Sequence, residues 1–568
     1  MCGFVCIKSE KPEIHKFLEL MQEKIKTRGP DSQKKILKNN FSGGFSRLSI
    51  LDLTEESDQP FKVDNFPYIL FFNGEIYNYK SLRKKLSKKY NFKTTSDTEV
   101  VYYAYCEWGN GCFKRFEGMF SVLIYNELNE DIILVRDQLG IKPLYYTIRD
   151  NSLFVASELK CFHGVFKLEP NVDRMIEYLS YGEIYGFETV FLGINKLCPG
   201  EIVFINNYNA RKTKYFDLID TFHQDKQEVT IDEINNLIVE SVISHSNSDV
   251  PYGTQLSGGL DSCLVTAILY DNIENKLDTF SIEVDHSAVN ESYFQNLFRE
   301  KFDVIHNPIV FDSDSFDDLN VLRKSIYNYD QPLHHANIIA SDKLNRLASK
   351  KGIKVLLSGD GADEVFGGYQ WNLLNFKNNN IENILDAGAM FEPALLEKYL
   401  NFHFSYKNLS ELISNTKSIK NPFDKRSYID QEFYVQRWLH RQDRCGMFSS
   451  VEIRVPYFTK KIIETINLIS PKEKLNNYQQ QKFLLKKVGL KYLDEEIVLQ
   501  KKVGFTIPVD DWTKNSNFNN LLLEDRTLSR GIYKTDNIIS LIKSRDSKRG
   551  KIIFALVNLE LWFRNFID

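Results

Sequence analysis

The chain has 568 residues, of which 43% are hydrophobic and 26% are charged, and its net charge is -4. This length exceeds the ~250–300 residues at which a single hydrophobic core stops growing, so at least two domains are expected. The nearly balanced charge gives no general attraction to phosphate backbones, which argues against nucleic acid as a partner.

The use of cysteine and the hydropathy of the chain restrict its compartment. The 8 cysteines form no CxxC pair and no zinc-type spacing, and they are too sparse for a disulfide scaffold. No basic segment followed by an apolar one opens the chain, and no stretch approaches ~18 uninterrupted apolar residues. These features predict a cytoplasmic protein that is neither secreted nor inserted in a membrane.

Residues 2 to about 206 are dominated by short strand-like runs with polar turns, among them FVCI, YILFF, FSVLIYN, DIILVRD and EIVFI. Such runs predict a substantial antiparallel sheet. Helical patterns are confined to a few segments, 14–26, 79–88 and 98–107. The first domain, 2–207, is therefore predicted to be α+β.

A change in composition separates the two halves of the chain. Residues 207–228 are polar, which predicts a linker. Beyond it, strand-like runs at 253–256, 279–283 and 355–358 alternate with helical patterns at 263–270, 291–302 and 338–350. This alternation predicts a parallel α/β sheet in a second domain, 225–568, whose pattern is mostly helical after residue 380.

Cys2 is the first candidate functional residue. Removal of Met1 would leave a thiol and a free α-amine on one residue, so the nucleophile would carry its own base. A thiol with a pKa of ~8.5 is only a few per cent thiolate at neutral pH, and an α-amine with a pKa of ~7.7–8.0 can take its proton. The arrangement suggests an amide-cleaving enzyme, whereas an incidental cysteine is the alternative.

Asn73 and Gly74 stand between two apolar runs in YILFFNGEIYNY. Such a dipeptide is a strong signal for a hairpin turn. Beside an attacking thiol, the Asn amide and an adjacent backbone N–H could instead donate to the oxyanion of a tetrahedral intermediate. The sequence leaves both interpretations open.

Asp97 and Arg47 also have two interpretations each. Ser96 and Glu99 match a capping box at the start of an apolar helix, which leaves the Asp97 carboxylate available to a substrate ammonium. Arg47 is a charge inside FSRLSIL, where a planar guanidinium suits recognition of a carboxylate. A surface-facing position on an alternating strand would explain Arg47 equally well.

The segment DVPYGTQLSGGLDSCLVTAIL has the pattern of a strand, a loop and a helix. Its small residues, Ser257, Gly258, Gly259 and Ser262, could direct backbone N–H groups at a phosphate near the helix start. It is not a Walker A loop, because no Lys-Ser/Thr follows the glycines. A purely structural turn is the alternative.

A second loop, LSGDGADEVFGGY, places Asp360, Asp363 and Glu364 directly after the apolar run KVLL. This is the carboxyl end of the predicted sheet, where the ligands of α/β proteins bind. Clustered acids can form a solvated loop. Together with SGGLDS they instead match the oxygen ligands of Mg²⁺, which binds through one or two carboxylates plus substrate phosphates.

Taken together, these strings resemble those of a known family. MCGFVC, RLSILDL, FFNGEIYN, SDTE, GMFSVLIYN, RDQLGIKPLYY and ASELK resemble, in order, the glutaminase domain of class II glutamine amidotransferases. SGGLDS is similar to the loop of the ATP pyrophosphatases, and DRCGMFSSVEIRVPYF, QKFLLKKV and QKKVGFTIPVDDW resemble the C-terminal part of the asparagine synthetase family. The resemblance implies an Ntn-type αββα sandwich followed by an α/β ATP pyrophosphatase domain with a helical C-terminal part.

For the first domain, the resemblance implies that Cys2 attacks the glutamine carboxamide and forms a γ-glutamyl thioester. Ammonia then leaves, and water frees the enzyme. The implied glutamine-binding residues are Arg47 for the α-carboxylate, Asn73 and Gly74 for the oxyanion, and Glu75 and Asp97 for the α-ammonium.

For the second domain, the resemblance implies ATP and Mg²⁺, with cleavage of ATP between the α- and β-phosphates. Asp261 and Asp363 would bind the metal, Lys482 would bind the departing pyrophosphate, and Asp360 would be catalytic. Taken without the resemblance, Lys482 is a solvated helix residue. The implied ATP-binding residues are Gln255, Leu256, Ser257, Gly258, Gly259, Asp261, Ser262, Ile282, Ser358 and Gly359.

The implied reaction is glutamine-dependent amidation of a carboxylate through an acyl-adenylate, with aspartate as the expected acceptor. Glutamine, ATP and the acceptor are then small-molecule partners, a homodimer is compatible with the resemblance, and a water-excluding channel must carry ammonia between the domains. The chain departs from the family near the acceptor site, where Asp360 replaces the more usual Glu, Thr459 follows RVPYF, and DQPLHHANIIAS is atypical. Because unpaired buried polar groups are costly, such changes can alter specificity, and a sugar acid of surface polysaccharides is the alternative acceptor.

Overall fold

The computed structural model describes residues 2–274, 276–284, 292–312, 316, 318–373, 381–501, 507–514, 517–544 and 546–568. Residues 502–506, within the string QKKVGFTIPVDDW, and residue 291, at the start of one predicted helix, lie outside the described residues.

The first part of the chain forms two antiparallel sheets. Their strands are β1 (Gly3–Ser9), β2 (Ser32–Leu37), β3 (Phe41–Arg47), β4 (Tyr68–Ile76), β5 (Gly118–Asn126), β6 (Ile132–Arg136), β7 (Tyr145–Arg149), β8 (Ser152–Ala156), β9 (Asn195–Lys196), β10 (Glu201–Asn206) and β11 (Asn209–Lys214). One sheet has the order β2-β3-β1-β8-β7-β9, and the other has the order β11-β10-β6-β5-β4.

Helices cover the outer faces of these two sheets. They are α1 (Phe17–Lys24), α2 (Tyr79–Leu86), α3 (Asp97–Trp108) and α4 (Val172–Tyr181). In β1, Phe4 and Cys6 belong to the core between the sheets, whereas Val5 and Ile7 pack with the residues of α1. Because successive side chains of a strand point to opposite faces, a strand with two apolar faces requires a layer on each side. The result is the αββα sandwich that the family resemblance implies.

The end of this sandwich differs from the expected linker. Residues 209–214, which are polar in sequence, form β11 and pair with β10 from Asn206↔Asn209 to Glu201↔Lys214. All six residues of β11 are exposed, because it is the edge strand of its sheet. An exposed edge strand does not need alternating apolar and polar residues. The polar sequence of β11 therefore resembles that of a linker. The fold of the first part therefore continues beyond residue 207.

The second part contains a parallel sheet, as predicted. Its strands are β12 (Tyr252–Gln255), β13 (Asp278–Val284), β14 (Ile305–Phe311), β15 (Val355–Leu357) and β16 (Glu452–Arg454), in the order β14-β13-β12-β15-β16. All four pairings are parallel. The strand order reverses between β12 and β15, and such a switch point opens a crevice at the carboxyl ends of the strands.

The rest of this part is helical. Its helices are α5 (Ile231–His245), α6 (Leu260–Tyr270), α7 (Ser292–Lys301), α8 (Leu319–Tyr329), α9 (Asn337–Lys350), α10 (Ala362–Phe366), α11 (Ile381–Asp386), α12 (Pro393–Glu397), α13 (Ser410–Lys417), α14 (Pro422–Ile429), α15 (Val435–Phe448), α16 (Lys460–Leu468), α17 (Pro471–Lys474), α18 (Phe483–Gly489), α19 (Glu495–Leu499), α20 (Val509–Trp512), α21 (Phe518–Leu523), α22 (Asp525–Leu528), α23 (Thr535–Lys543) and α24 (Arg549–Phe566). Within the described part of the chain, none of them combines the length and the apolar character needed to cross a bilayer.

Candidate active sites

Cys2 lies at the start of β1, against β4 and the end of β3. Its backbone N–H donates to Asn73 Oδ1 at 3.2 Å, and its Sγ lies 3.9 Å from the carbonyl oxygen of Leu48. Burial raises the pKa of the Cys2 thiol. A thiol in this environment needs a base close to the sulfur before it can act as a nucleophile.

Asn73 and Gly74 lie inside β4, so the hairpin interpretation is wrong. They pair with Ser121 and Phe120 of β5, because the apolar runs on both sides belong to one continuous strand. Asn73 is fully buried, and its Nδ2 lies 3.4 Å from Ser121 Oγ. A Cβ atom on Gly74 would lie 2.1 Å from the carbonyl oxygen of Met119, so the close approach of β5 requires glycine at this position.

Two buried carboxylates lie near the end of β4. Asp97 Oδ2 accepts a hydrogen bond from the Ile76 backbone N–H at 2.9 Å, and burial raises the pKa of Asp97 to about 6. Burial also raises the pKa of Glu75, although Arg454 opposes this with a contact of 3.1 Å to Glu75 Oε2. Asp97 contributes to the raised pKa of Glu75, so the two carboxylates repel each other. Such a pair is stabilised when a cation binds between its members.

The predicted capping box at the start of α3 is only half formed. Ser96 Oγ accepts from the Thr98 backbone N–H at 3.0 Å, as expected of an N-cap residue. The Glu99 carboxylate does not complete the box, because it accepts from the backbone N–H groups of Lys93 and Thr94 at 3.0 and 2.8 Å. Glu99 therefore organises the preceding loop.

Arg47 is buried at the end of β3, and its surface-facing interpretation is wrong. Every residue of β3 is buried, so the strand has no solvent face. The guanidinium forms an ion pair with Asp58 at 2.8 Å and donates to the carbonyl oxygen of Thr54 at 2.6 Å. Arg47 therefore holds the following loop beside Leu48, whose carbonyl oxygen faces the Cys2 thiol.

The SGGLDS segment forms a tight turn between β12 and α6. The Ser257 backbone N–H donates to Ser262 Oγ at 3.1 Å, and the two hydroxyl oxygens lie 3.0 Å apart. Gly258 has a φ of 87°, in the left-handed region that favours glycine. Among the described residues, a Cβ atom on Gly259 would meet only Ser257 Oγ, at 3.5 Å, so these residues leave space in front of the helix. A helix N-terminus with such space suits a phosphate group.

The loop after β15 packs directly on this turn. A Cβ atom on Gly359 would lie 2.9 Å from both Asp261 Cβ and the Ser262 backbone nitrogen, so the two loops touch. They meet because β12 and β15 are neighbours in the sheet. The structure thus brings together Ser358 and Gly359 with the predicted phosphate turn, at the switch point of the sheet.

The remaining predicted nucleotide-site residues lie on β12 and β13 or just after them. Gln255 Oε1 accepts from Gln442 Nε2 at 3.1 Å. Leu256 is buried, and its backbone N–H donates to the carbonyl oxygen of Phe280 at 2.8 Å. Ile282 is half-buried on β13, the strand adjacent to β12. The three residues therefore border one edge of the crevice.

Lys482 connects the two loops of the crevice. Its Nζ lies 2.5 Å from Asp261 Oδ2 and 2.6 Å from Asp363 Oδ1. Burial alone would lower the pKa of Lys482, but the two carboxylates raise it above its usual range. The residue is buried at the N-cap of α18 with a φ of 51°, so it is not the solvated helix residue that the local pattern indicates. This left-handed backbone conformation is uncommon for a lysine and is held by the surrounding structure.

The same carboxylates are suitable ligands for Mg²⁺. Asp261 and Asp363 converge on one cationic group, so their oxygens already stabilise positive charge at this position. Within the described residues, no group of three or more His, Cys, Asp or Glu side chains forms a metal-binding cluster. A pair of carboxylates completed by substrate phosphates is the usual way in which proteins hold Mg²⁺.

Asp360 is held by α15. Arg441 NH2 lies 2.9 Å from Asp360 Oδ2, and Gln442 Nε2 also donates to this oxygen. Gln442 additionally donates to Ser358 Oγ at 3.1 Å. Asp360 therefore lies beside the nucleotide crevice as an ion-paired carboxylate.

Sequence reasoning missed four buried or half-buried charges that connect these sites: Arg28, Arg441, Asp443 and Arg454. Each of them has a partner that is distant in sequence, with a separation of 415 residues between Arg28 and Asp443. A charge within the apolar run EIRVPYF is a signal that could have marked Arg454.

A thiol beside a buried amide, joined in one chain to a phosphate turn and paired carboxylates, defines a glutamine amidotransferase coupled to an ATP-dependent ligase. Residues 1–216 match the sequence profile of a glutamine amidotransferase domain, and residues 233–564 match that of asparagine synthase. Asparagine synthetase [glutamine-hydrolyzing] 1 of Bacillus subtilis is 28% identical, with 99% of this chain and 96% of that protein covered. Asparagine synthetase [glutamine-hydrolyzing] 3 of the same organism is 27% identical, with 90% and 89% covered. The chain belongs to the asparagine synthase family and is an ATP-dependent, glutamine-hydrolysing carbon–nitrogen ligase.

Proposed function

We propose that this enzyme transfers the amide nitrogen of glutamine to the side-chain carboxylate of aspartate, with conversion of ATP to AMP and pyrophosphate. The observation that carries the proposal is the convergence of Asp261 and Asp363 on Lys482, beside the SGGLDS turn. The names of the two relatives support aspartate as the acceptor.

In the proposed first half-reaction, Cys2 attacks the glutamine carboxamide. Removal of Met1 would expose the α-amine of Cys2, which places a base for the thiol proton on the same residue as the buried sulfur. The tetrahedral oxyanion receives hydrogen bonds from the Asn73 side chain and the Gly74 backbone N–H. The α-ammonium of glutamine binds between Glu75 and Asp97, and Arg47 binds the α-carboxylate.

In the proposed second half-reaction, the acceptor carboxylate attacks the α-phosphorus of ATP. Pyrophosphate departs, ammonia attacks the acyl carbon, and AMP is released. Backbone N–H groups of residues 257–262 hold the phosphates together with Ser358 and Gly359, and Lys482 neutralises the departing pyrophosphate. Mg²⁺ held by Asp261 and Asp363 would supply further neutralisation of phosphate charge. Gln255, Leu256 and Ile282 border the nucleotide, and Asp360 acts at the acceptor end of the crevice.

A second acceptor class is favoured by the aromatic residues near Asp360. The guanidinium of Arg441, which binds Asp360, lies 4.9 Å from the ring centre of Trp438. Trp438 Nε1 donates to Tyr369 OH at 3.2 Å, and the Tyr369 ring stacks on Trp371 with centroids 4.4 Å apart. Aromatic rings provide large apolar contact surfaces. The half-buried rings of Tyr369, Trp371 and Trp438 therefore suit an acceptor that is larger than aspartate and contains a ring, such as a sugar acid.

Pyrophosphate release with ATP, Mg²⁺ and glutamine tests the choice of acceptor. Release that depends on aspartate is expected. Release with a hexuronic acid and none with aspartate would assign the sugar-acid function instead. Release with neither, while glutamate still forms, would refute both acceptors.

A further inference from the structure

Helix α15 contacts both candidate active sites through three consecutive residues. Arg441 binds Asp360, and Gln442 binds both Asp360 and Ser358 in the nucleotide crevice. The next residue, Asp443, binds Arg28 of the first domain. Successive helical residues project about 100° apart, so a single turn can reach two sites in different directions.

Arg28 joins Asp443 to the candidate nucleophile. Its Nε donates to the carbonyl oxygen of Cys2 at 2.9 Å. Its NH1 and NH2 donate to the two carboxylate oxygens of Asp443 at 2.8 and 3.0 Å. A Cβ atom on Gly3 would lie 2.7 Å from Arg28 Cδ, so the side chain is also packed against the backbone that follows Cys2. Asp443 is therefore separated from the Cys2 backbone by one side chain.

The link between Arg28 and Asp443 is charged and buried. Both side chains are almost completely excluded from solvent. Burial alone would raise the pKa of Asp443, but Arg28 holds it below its usual range, so the carboxylate remains ionised. A bidentate pair between a guanidinium and a carboxylate fixes orientation as well as distance.

We infer that Asp443 is a positioning residue for glutamine hydrolysis, which acts through Arg28 on Cys2 and couples this step to the state of the nucleotide crevice. The inference rests on the proposed function of Cys2. A displacement of α15 that follows the contacts of Arg441 and Gln442 also displaces the carboxylate that orients Arg28. The helix can thus adjust the position of the thiol according to the occupancy of the other site.

Asp443→Asn tests this inference, because it preserves the shape of the side chain and removes the charge and one acceptor from the bidentate pair. We expect kcat/KM for glutamine, measured as glutamate formation, to fall about 10- to 100-fold, as for a lost hydrogen bond to a charged group. Ammonia-dependent pyrophosphate release should stay within about twofold of wild type. Any stimulation of glutaminase activity by ATP and acceptor in the wild type should be lost.

Asp424→Asn is the matched control. Asp424 is also a buried carboxylate paired with a cation, Lys226 at 3.0 Å, and it belongs to neither candidate active site. It should leave the ratio of glutamine-dependent to ammonia-dependent rates unchanged. If Asp443→Asn does not fold, Asp443→Glu keeps the charge and displaces it by one methylene, with the same expected loss of glutamine use.

Equal losses with glutamine and with ammonia in the Asp443 variant would overturn the inference, as would an unchanged kcat/KM for glutamine. Failure of the proposed function is distinguishable, because the wild-type enzyme would then form no glutamate, or Cys2→Ala would still form it.

Discussion

Arg454 provides a quantitative test of how the two domains are held together. It lies at the end of β16, is fully buried, and binds carboxylates from both parts of the chain. Its Nε donates to Glu452 Oε1 at 2.6 Å, and its NH2 donates to Glu75 Oε2 at 3.1 Å. Its NH1 donates to the carbonyl oxygens of His245 and Asn247 at 2.7 and 2.8 Å.

Arg454→Met keeps the apolar stem of the side chain and removes all four of these hydrogen bonds. Breaking a buried ion pair by removal of one partner costs about 3–5 kcal/mol, because the remaining carboxylates stay buried. At roughly 2–4 °C for each kcal/mol in domains of 150–250 residues, the midpoint of thermal unfolding should fall by roughly 10 °C. Glutamine use should also decrease, because Glu75 loses the partner that orients its carboxylate.

Thermal unfolding at one fixed scan rate measures this effect. Lys461→Met is the control, because the Lys461–Glu240 pair is exposed and such pairs contribute about 0–1 kcal/mol. The double variant Arg454→Met with Glu452→Gln should recover part of the loss, since one buried charge has been removed. If Arg454→Met unfolds at the same temperature as Lys461→Met, the buried pair does not stabilise the domain contact and the reasoning is refuted.

Three further predictions concern the chemistry. Cys2→Ala should abolish formation of glutamate from glutamine while added ammonia still supports pyrophosphate release; loss with both nitrogen donors would contradict the two-site mechanism. Because burial raises the pKa of Asp97 to about 6, its carboxylate loses most of its charge between pH 6 and pH 5, and glutamine binding to Cys2→Ala should weaken about 5-fold over this interval by calorimetry. Asp97→Asn in the same background should bind weakly at both pH values, and an identical pH dependence would refute the assignment. Lys482→Met should lower pyrophosphate release at least about 100-fold with either nitrogen donor, whereas Lys487→Met, which replaces an exposed lysine of the same helix, should not.

Much of the fold was predictable from local pattern. The short strand-like runs predicted the antiparallel sheet of the first domain, whereas its αββα layers were implied by the family resemblance. In the structure, strands such as β1 and β4 have two apolar faces, each of which packs against one layer. The parallel sheet follows from the alternation of strand and helix patterns. The strand β11 was missed because an exposed edge strand need not alternate, and its polar residues are typical of a linker.

The candidate sites were predictable to different degrees. The strings around Cys2, Asn73 and SGGLDS identified the relevant segments, although the hairpin alternative for Asn73 was wrong. The burial and the ion-pair partners of each side chain were not predictable, because they depend on other elements of the fold. Arg47 is held by a loop that follows it, and Asp360 is paired with a helix that begins 75 residues later, at Val435.

By itself, the sequence determined the family, the two kinds of domain and the segments that are predicted to carry the chemistry, because short motifs and periodic apolar patterns are local properties of the chain. Only the tertiary structure decided which charges meet. The contacts of Lys482 with Asp261 and Asp363, of Arg454 with Glu75, and of Arg28 with Asp443 and Cys2 each join distant segments. A buried charge is stable only beside a partner of opposite charge, and the identity of that partner is set by the packing of the whole chain.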